Sequence, residues 1–166
     1  MIIQQSLAFL EDALNEHLKN KFQSKDQLVL VNRIVESDGT IPLTNQNKVV
    51  MTLINIEQQH GAVLGLKQHD SLPENSMPPI QFHVKLLVSS HFLDYNESLR
   101  FLEETLDFFY MNEVFDASQN QNFPVGVSAL SMEMASLNYA ELKDLWTTLG
   151  GKQQPSLSYT LRFNRG

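Results

Sequence analysis

Apolar residues recur near the N-terminus at Ile3, Leu7, Leu10, Leu14 and Leu18, with Phe22 one turn further on. Spacings of three and four predict an amphipathic helix over 2–22, with Gln4, Glu11, Asn15 and Lys19 off the stripe. Ser24 to Gln27 is polar and turns the chain. Leu28 to Val35 is a β-rich run closed by the turn signal Ser37-Asp38-Gly39. Lys48 to Glu57 is apolar on both alternating faces, the pattern of an interior strand covered on two sides. Ala62 to Leu66 extends that hairpin or pairs at an edge. Residues 67–79 are polar, contain three prolines and lack a period, which predicts a mobile loop.

From Ile80 to Val88 the alternation is strict: Ile80, Phe82, Val84, Leu86 and Val88 share one side and Gln81, His83 and Lys85 the other. Asp94 to Met111 switches to the helical period. Leu99, Leu102, Leu106 and Phe109 form one stripe and Phe101 with Phe108 a second, a width that calls for more than one packing neighbour. Residues 116–127, rich in Asn and Gln, read as a second long loop. Ser128 to Leu137 alternates again. Asn138 followed by Glu141 has capping-box spacing for a helix over Tyr139 to Leu149, stopped by Gly150-Gly151. Leu157, Tyr159, Leu161 and Phe163 mark a last strand. The order α-β-β-β-α-β-α-β predicts an α+β fold: one domain over 1–166, with three helices packed on a single mixed or antiparallel sheet of about five strands.

Composition narrows the classes of function. With 166 residues, no cysteine and a net charge of −7, the chain has no disulfide framework, thiolate metal site or cysteine nucleophile. Twelve basic residues against 19 acids argue against nucleic-acid binding. The first helix carries no early Lys or Arg, and Glu11 and Asp12 interrupt it, so neither a signal peptide nor a membrane span is expected. Synthesis and retention in the cytoplasm follow as an expectation. His17, His60, His69, His83 and His91 form no HxxxH or HExxH pair, and His83 and His91 stand about 26 Å apart along a strand. No GxSxG, GxxxxGK[ST] or GxGxxG motif occurs. Glu103 and Glu104, adjacent on a helix, diverge by about 100° and make a poor catalytic pair. No catalytic, cofactor or metal site is expected, and the chain does not read as an enzyme.

Charge is uneven. Residues 94–116 hold seven acids (Asp94, Glu97, Glu103, Glu104, Asp107, Glu113, Asp116) and one base, Arg100. The plain reading is a solubilising helix face; the sharper one is a patch that orients a basic partner. Trp146, the only tryptophan, is either a core anchor or an interface anchor.

Four blocks carry a family resemblance: LAFLEDALNEHL, NKVVMTLINIE, PPIQFHVKLLVSSHFLDYNESLRFLEETLDFFYMNEVF and LNYAELKDLWTTLGGKQQPSLSYTLR. Spanning nearly the whole chain, they resemble the tail-terminator or cap proteins of phage-tail-like contractile injection systems. The likeness is nearest to the N-terminal domain of the cap protein of extracellular injection particles. The last block, ELxxLWxxLGGKxxPSxxYxxR, is among the most specific.

The resemblance implies a structural protein. It would form a hexameric ring on the end of the inner tube, stop tube growth and anchor the last sheath ring. Its partners would be its own copies, the tube protein and the sheath protein, in an assembled particle, with no cofactor, nucleic acid or membrane. A ring joined head to tail needs two different patches. Glu103, Glu104 and Asp107 are candidates to supply negative charge, Lys152 and Arg162 to answer it, and Phe101 or Phe108 to centre a subunit contact, with Trp146 in the second patch. Reversing Glu104 and Asp107 is expected to weaken association without unfolding the monomer. Tube contact falls to the two long loops. The alternative is a stand-alone adaptor that binds a peptide or protein along a sheet edge; a small-ligand enzyme ranks below both.

Overall fold

A computed structural model describes residues 1–58 and 82–164. Helix α1 (Ile2–Phe22) buries Leu7, Leu10, Leu14 and Leu18 as its period requires, and ends in a left-handed Gln23 whose N–H bonds Lys19 O. Strand β1 (Val29–Val31) is short. After it, Asn32 donates to Met51 O from its backbone and to Asn45 from its side chain, and the chain leaves the sheet through a 3₁₀ turn at Leu43–Asn45. β2 (Val49–Gln58) and β3 (Phe82–Ser90) follow, then α2 (Tyr95–Met111), β4 (Val114–Asp116), β5 (Ala129–Ala135), α3 (Tyr139–Leu149) and β6 (Ser156–Asn164). The expected strand at Ala62 to Leu66, the loop at 67–79 and both His60 and His69 lie outside the described residues.

The six strands lie in the order β1-β2-β3-β6-β5-β4, with β1 parallel to β2 and the remaining pairs antiparallel. The chain leaves β3, crosses by α2 to the far edge, returns through β5, and β6 then fills the slot between β3 and β5. A sixth strand, β4, stands where the sequence reads as the approach to a loop. Three residues are too few to show alternation; Phe115 fixes the strand by packing on Phe9 and Phe108. In β2 the register shifts between Leu53 and Asn55, leaving Ile54 as the bulged residue.

Helices α1 and α2 cover one face of the sheet. Their Leu7, Leu10, Leu14, Phe101, Phe108 and Phe109 form a core with Val49, Met51, Val84, Leu86, Leu130, Met132, Tyr159 and Leu161. Helix α3 covers only a corner of the other face, where Trp146 packs with Ile34, Val50 and Leu87. The two-sided apolar pattern of β2 thus has a partner on each side.

α2 turns differently from the stripe led by Leu99. Its buried residues are Ser98, Phe101, Thr105, Phe108 and Phe109, while Leu99 is 42% exposed. The aromatic stripe removes more area from water. Ser98 and Thr105 can sit among the rings because their hydroxyls bond the carbonyls of Phe92 and Phe101 at 3.2 and 2.7 Å.

Candidate functional site

The acidic helix is pinned on one flank to α1. Phe101 stacks on Phe92 at 4.1 Å between ring centroids and meets Phe22 at 4.2 Å, and Arg100 lies 5.4 Å over the Phe22 ring. Glu104 bridges to α1 through His17 at 2.7 Å and Lys21 at 3.2 Å. Burial pushes its carboxyl pKa up, but the hydrogen bonds and charges of His17 and Lys21 outweigh that and hold it below the ordinary value.

The other acids of the segment divide into two sets. Asp94 caps the helix by accepting from Glu97 N–H at 3.0 Å. Glu97 pairs with Arg100 at 2.6 Å, and Asp116 accepts from the Ser118 N–H and hydroxyl. Glu103, Asp107 and Glu113 are exposed and have no cation partner among the described residues. Three uncompensated carboxylates therefore remain, Glu103 and Asp107 on the solvent side of α2 and Glu113 just beyond its end.

The second candidate region gathers around α3. Asn138 and Glu141 complete the capping box in both directions, and Gly150 takes φ 76°, the left-handed stop that a side chain would strain. Gly151 is constrained by space: a Cβ there would sit 2.8 Å from the Ile34 side chain. That close approach seats Trp146, 3% exposed, in the corner core. Lys152 follows on the surface and has no carboxylate partner among the described residues.

Of the eight residues singled out from sequence, Phe101, Phe108 and Trp146 are thus buried within the chain's own core, 5, 7 and 3% exposed. Phe101 and Phe108 offer almost no surface on which to centre a subunit contact, because the rings around them already cover both. Glu104 is turned toward α1. Glu103, Asp107 and Lys152 have no ion-pair partner among the described residues. Arg162 is half-exposed and pairs with Glu133 at 3.1 Å.

Beside that last pair, on the same face of the sheet, lies a network which the sequence did not disclose. Glu57 accepts from His83 at 2.7 Å and stands 3.8 Å from Lys85, whose ammonium donates to Thr160 at 2.8 Å. The His83 hydrogen bond is the main reason the Glu57 carboxyl lies below its ordinary pKa. The alternation over 80–88 placed His83 and Lys85 on one side. Their partners come from strands 26 and 75 positions away, beyond the reach of a periodicity argument.

Among the described residues no group of three or more His, Asp or Glu could hold a metal ion, and no helix is long and apolar enough to cross a membrane. Next to α1 lie two open depressions. One, of about 810 Å³, is lined by Met1, Ile2, Ile3, Leu7, Val31 and Phe82. The other, of about 570 Å³, runs between α1 and the Asn120–Val125 loop, with Phe9, Asp12 and Phe123 in its walls.

Residues 7–164 match the model of the Pvc16 N-terminal domain. The chain belongs to the Pvc16 N-terminal domain family. No curated protein matches the sequence. Two solved structures share its fold. One is the sheath/tube terminator, in the extended state, of the extracellular contractile injection system PVC: TM-score 0.51, 12% identity, covering 90% of this chain and 54% of that one. The other is the tube-terminating cap of the anti-feeding prophage: TM-score 0.51, 15% identity, covering 95% of this chain and 54% of that one. The chain therefore spans about half the length of either relative, and the likeness confirms the α+β tail-terminator-like fold expected from sequence.

Proposed function

We propose that this protein is a structural cap of a contractile injection system, assembling as a six-fold ring on the end of the inner tube. It ends tube growth there and anchors the last sheath ring. The observation that carries this reading is family membership over residues 7–164, joined to a fold shared with two tube terminators. Its partners are its own copies, the tube protein and the sheath protein, and its work is mechanical rather than catalytic. It is made in the cytoplasm and then resides in the particle.

The surfaces suit that role. Glu103 and Asp107 on α2 and Lys152 after α3 lie in two different places on the surface, and a head-to-tail ring needs two different patches. Arg162 adds positive charge on the α3 side, shared with Glu133. Phe101, Phe108, Glu104 and Trp146 act from within, fixing the helices on which the exposed charges stand. The groove between α1 and the Asn120–Val125 loop puts part of the 116–127 loop where it would meet a tube segment.

The sheet-edge adaptor reading gains no support at β1. Val29 and Val31 N–H groups are already bonded by the α1 side chains Asn15 and Glu11, at 3.3 and 3.1 Å. An edge whose donors are taken cannot template an added strand.

The test is the length distribution of particles seen by electron microscopy, with and without this chain. Overlong or ragged tubes, or sheaths that fail to persist, are the expected outcome of its removal. Particles of unchanged length with intact sheaths would sink the cap reading.

A further inference from the structure

Strand β1 stands at one edge of the sheet, and the run Leu28–Val31 is wholly apolar, with two β-branched residues. An exposed edge of that kind templates pairing with another chain. β1 bonds β2 through Leu28 O, which accepts from Val49 N–H at 2.8 Å, and through Asn32 N–H, which donates to Met51 O at 3.1 Å. Alternate residues of a strand turn their main-chain groups to opposite sides, so those of Val29 and Val31 point out from the sheet.

Three side chains meet these outward groups. Val29 N–H donates to Asn15 Oδ1 at 3.3 Å, Val29 O accepts from Gln27 Nε2 at 2.9 Å, and Val31 N–H donates to Glu11 Oε2 at 3.1 Å. The three are also joined to one another: Gln27 Nε2 lies 3.3 Å from Glu11 Oε1, and Asn15 Nδ2 lies 3.5 Å from Gln27 Oε1. Glu11 and Asn15 are one turn apart on α1, so the helix offers two acceptors along the strand, as a neighbouring strand would offer carbonyls. Burial raises the Glu11 carboxyl pKa, with the Val31 hydrogen bond pulling against it. The leucine stripe of α1 packs without that charge, so the edge, not the helix, accounts for a partly buried carboxylate there. Beside the edge, Ile2, Ile3, Leu7, Val31 and Phe82 line the open depression of about 810 Å³. A strand added to β1 would lay alternate side chains against that apolar wall, which favours extension once the outward groups are released.

We propose that Glu11, Asn15 and Gln27 form a clasp that occupies the outward groups of β1 and keeps this edge from pairing with β1 of a second copy. Two such runs set antiparallel would satisfy each other's outward groups at once, in a two-fold contact that closes on itself. Copies paired in that way are lost to a head-to-tail ring, so in the ring reading the clasp holds them available for assembly.

The test uses the chain alone. Glu11→Ala with Gln27→Ala removes two of the three outward bonds; Asn15 is kept because its Oδ1 also accepts from the buried Leu28 N–H at 2.8 Å. In sedimentation over a concentration series, the associated fraction of this double variant is expected to exceed that of the native chain about tenfold at matched concentration. Adding Val31→Pro, which deletes an outward N–H without adding a contact, is expected to return association to the native level. Equal association of the double variant and the native chain at every concentration overturns the clasp. Association that survives Val31→Pro runs through another surface and overturns it too. Should the double variant give no melting transition, Glu11→Ala alone is read in the same way, with and without Val31→Pro. The cap reading is judged separately, on particle length, and stands or falls apart from these outcomes.

Discussion

At the scale of single residues, the glycine pair after α3 shows two different demands met by one residue type. Gly150 is needed for its left-handed backbone, and Gly151 for the space it leaves to Ile34 and Val35. Gly151→Ala must push a β-branched side chain out of the corner core, with an expected loss of about 1–3 kcal/mol in urea unfolding. Gly150→Ala is expected to cost about 1–2 kcal/mol, from the left-handed conformation alone. A fully stable Gly151→Ala would mean that Ile34 yields freely and that the Trp146 corner is loosely packed. The sequence announced the helix stop but not the second demand, since Ile34 is more than a hundred positions away.

At the scale of elements, α1 and α2 act as one unit because Glu104 reaches His17 and Lys21. A carboxyl with a lowered pKa in the folded chain contributes stability that is full above its unfolded value of 4.5 and lost as pH falls through the folded value. Glu104→Gln is therefore expected to lower stability by about 1 kcal/mol above that range. The gap from wild type should close on acidification, followed by unfolding at a series of pH values. A gap that widens toward low pH would show that Glu104 is not the tie. The same contact alters how the acidic face should be probed: reversing Glu104 with Asp107 would loosen α1 from α2 as well as changing the surface. Glu103 and Asp107, both without a cation partner among the described residues, are the pair that reports on association.

At the scale of the whole molecule, Glu103 and Asp107 stand on the α2 side of the sheet and Lys152 beyond α3, each without an ion-pair partner among the described residues. Glu103→Lys with Asp107→Lys is expected to weaken cap assembly about tenfold in low salt and less in high salt, because exposed charges are screened within about 10 Å at 0.1 M. The monomer's melting temperature should hardly move. Sedimentation across a salt series measures both. Assembly that ignores the reversal at every salt concentration would remove the acidic face from the contact.

Much of this protein was legible without coordinates, for a physical reason. Helix and strand periods, the Asn138 capping box and the glycine stop act within a few residues, so α1, β2, β3, α2, β5, α3 and β6 were placed near their observed bounds. The identity of whole blocks, together with the order of elements, carried the family resemblance. What the sequence left open depends on contacts between distant segments. Two apolar stripes on α2 satisfied the same period, and only packing against α1 and the sheet turned Phe101 and Phe108 inward and left Leu99 and Tyr110 outside. Seven acids looked alike along the chain; the fold pairs Glu104 with α1 and leaves Glu103, Asp107 and Glu113 without a cation partner among the described residues. The position of β6 between β3 and β5, the three-residue strand β4, and the burial of Trp146 under Ile34 were likewise decided by tertiary structure. Each is set by which surfaces meet across the sheet, and separation along the chain carries no signal of that.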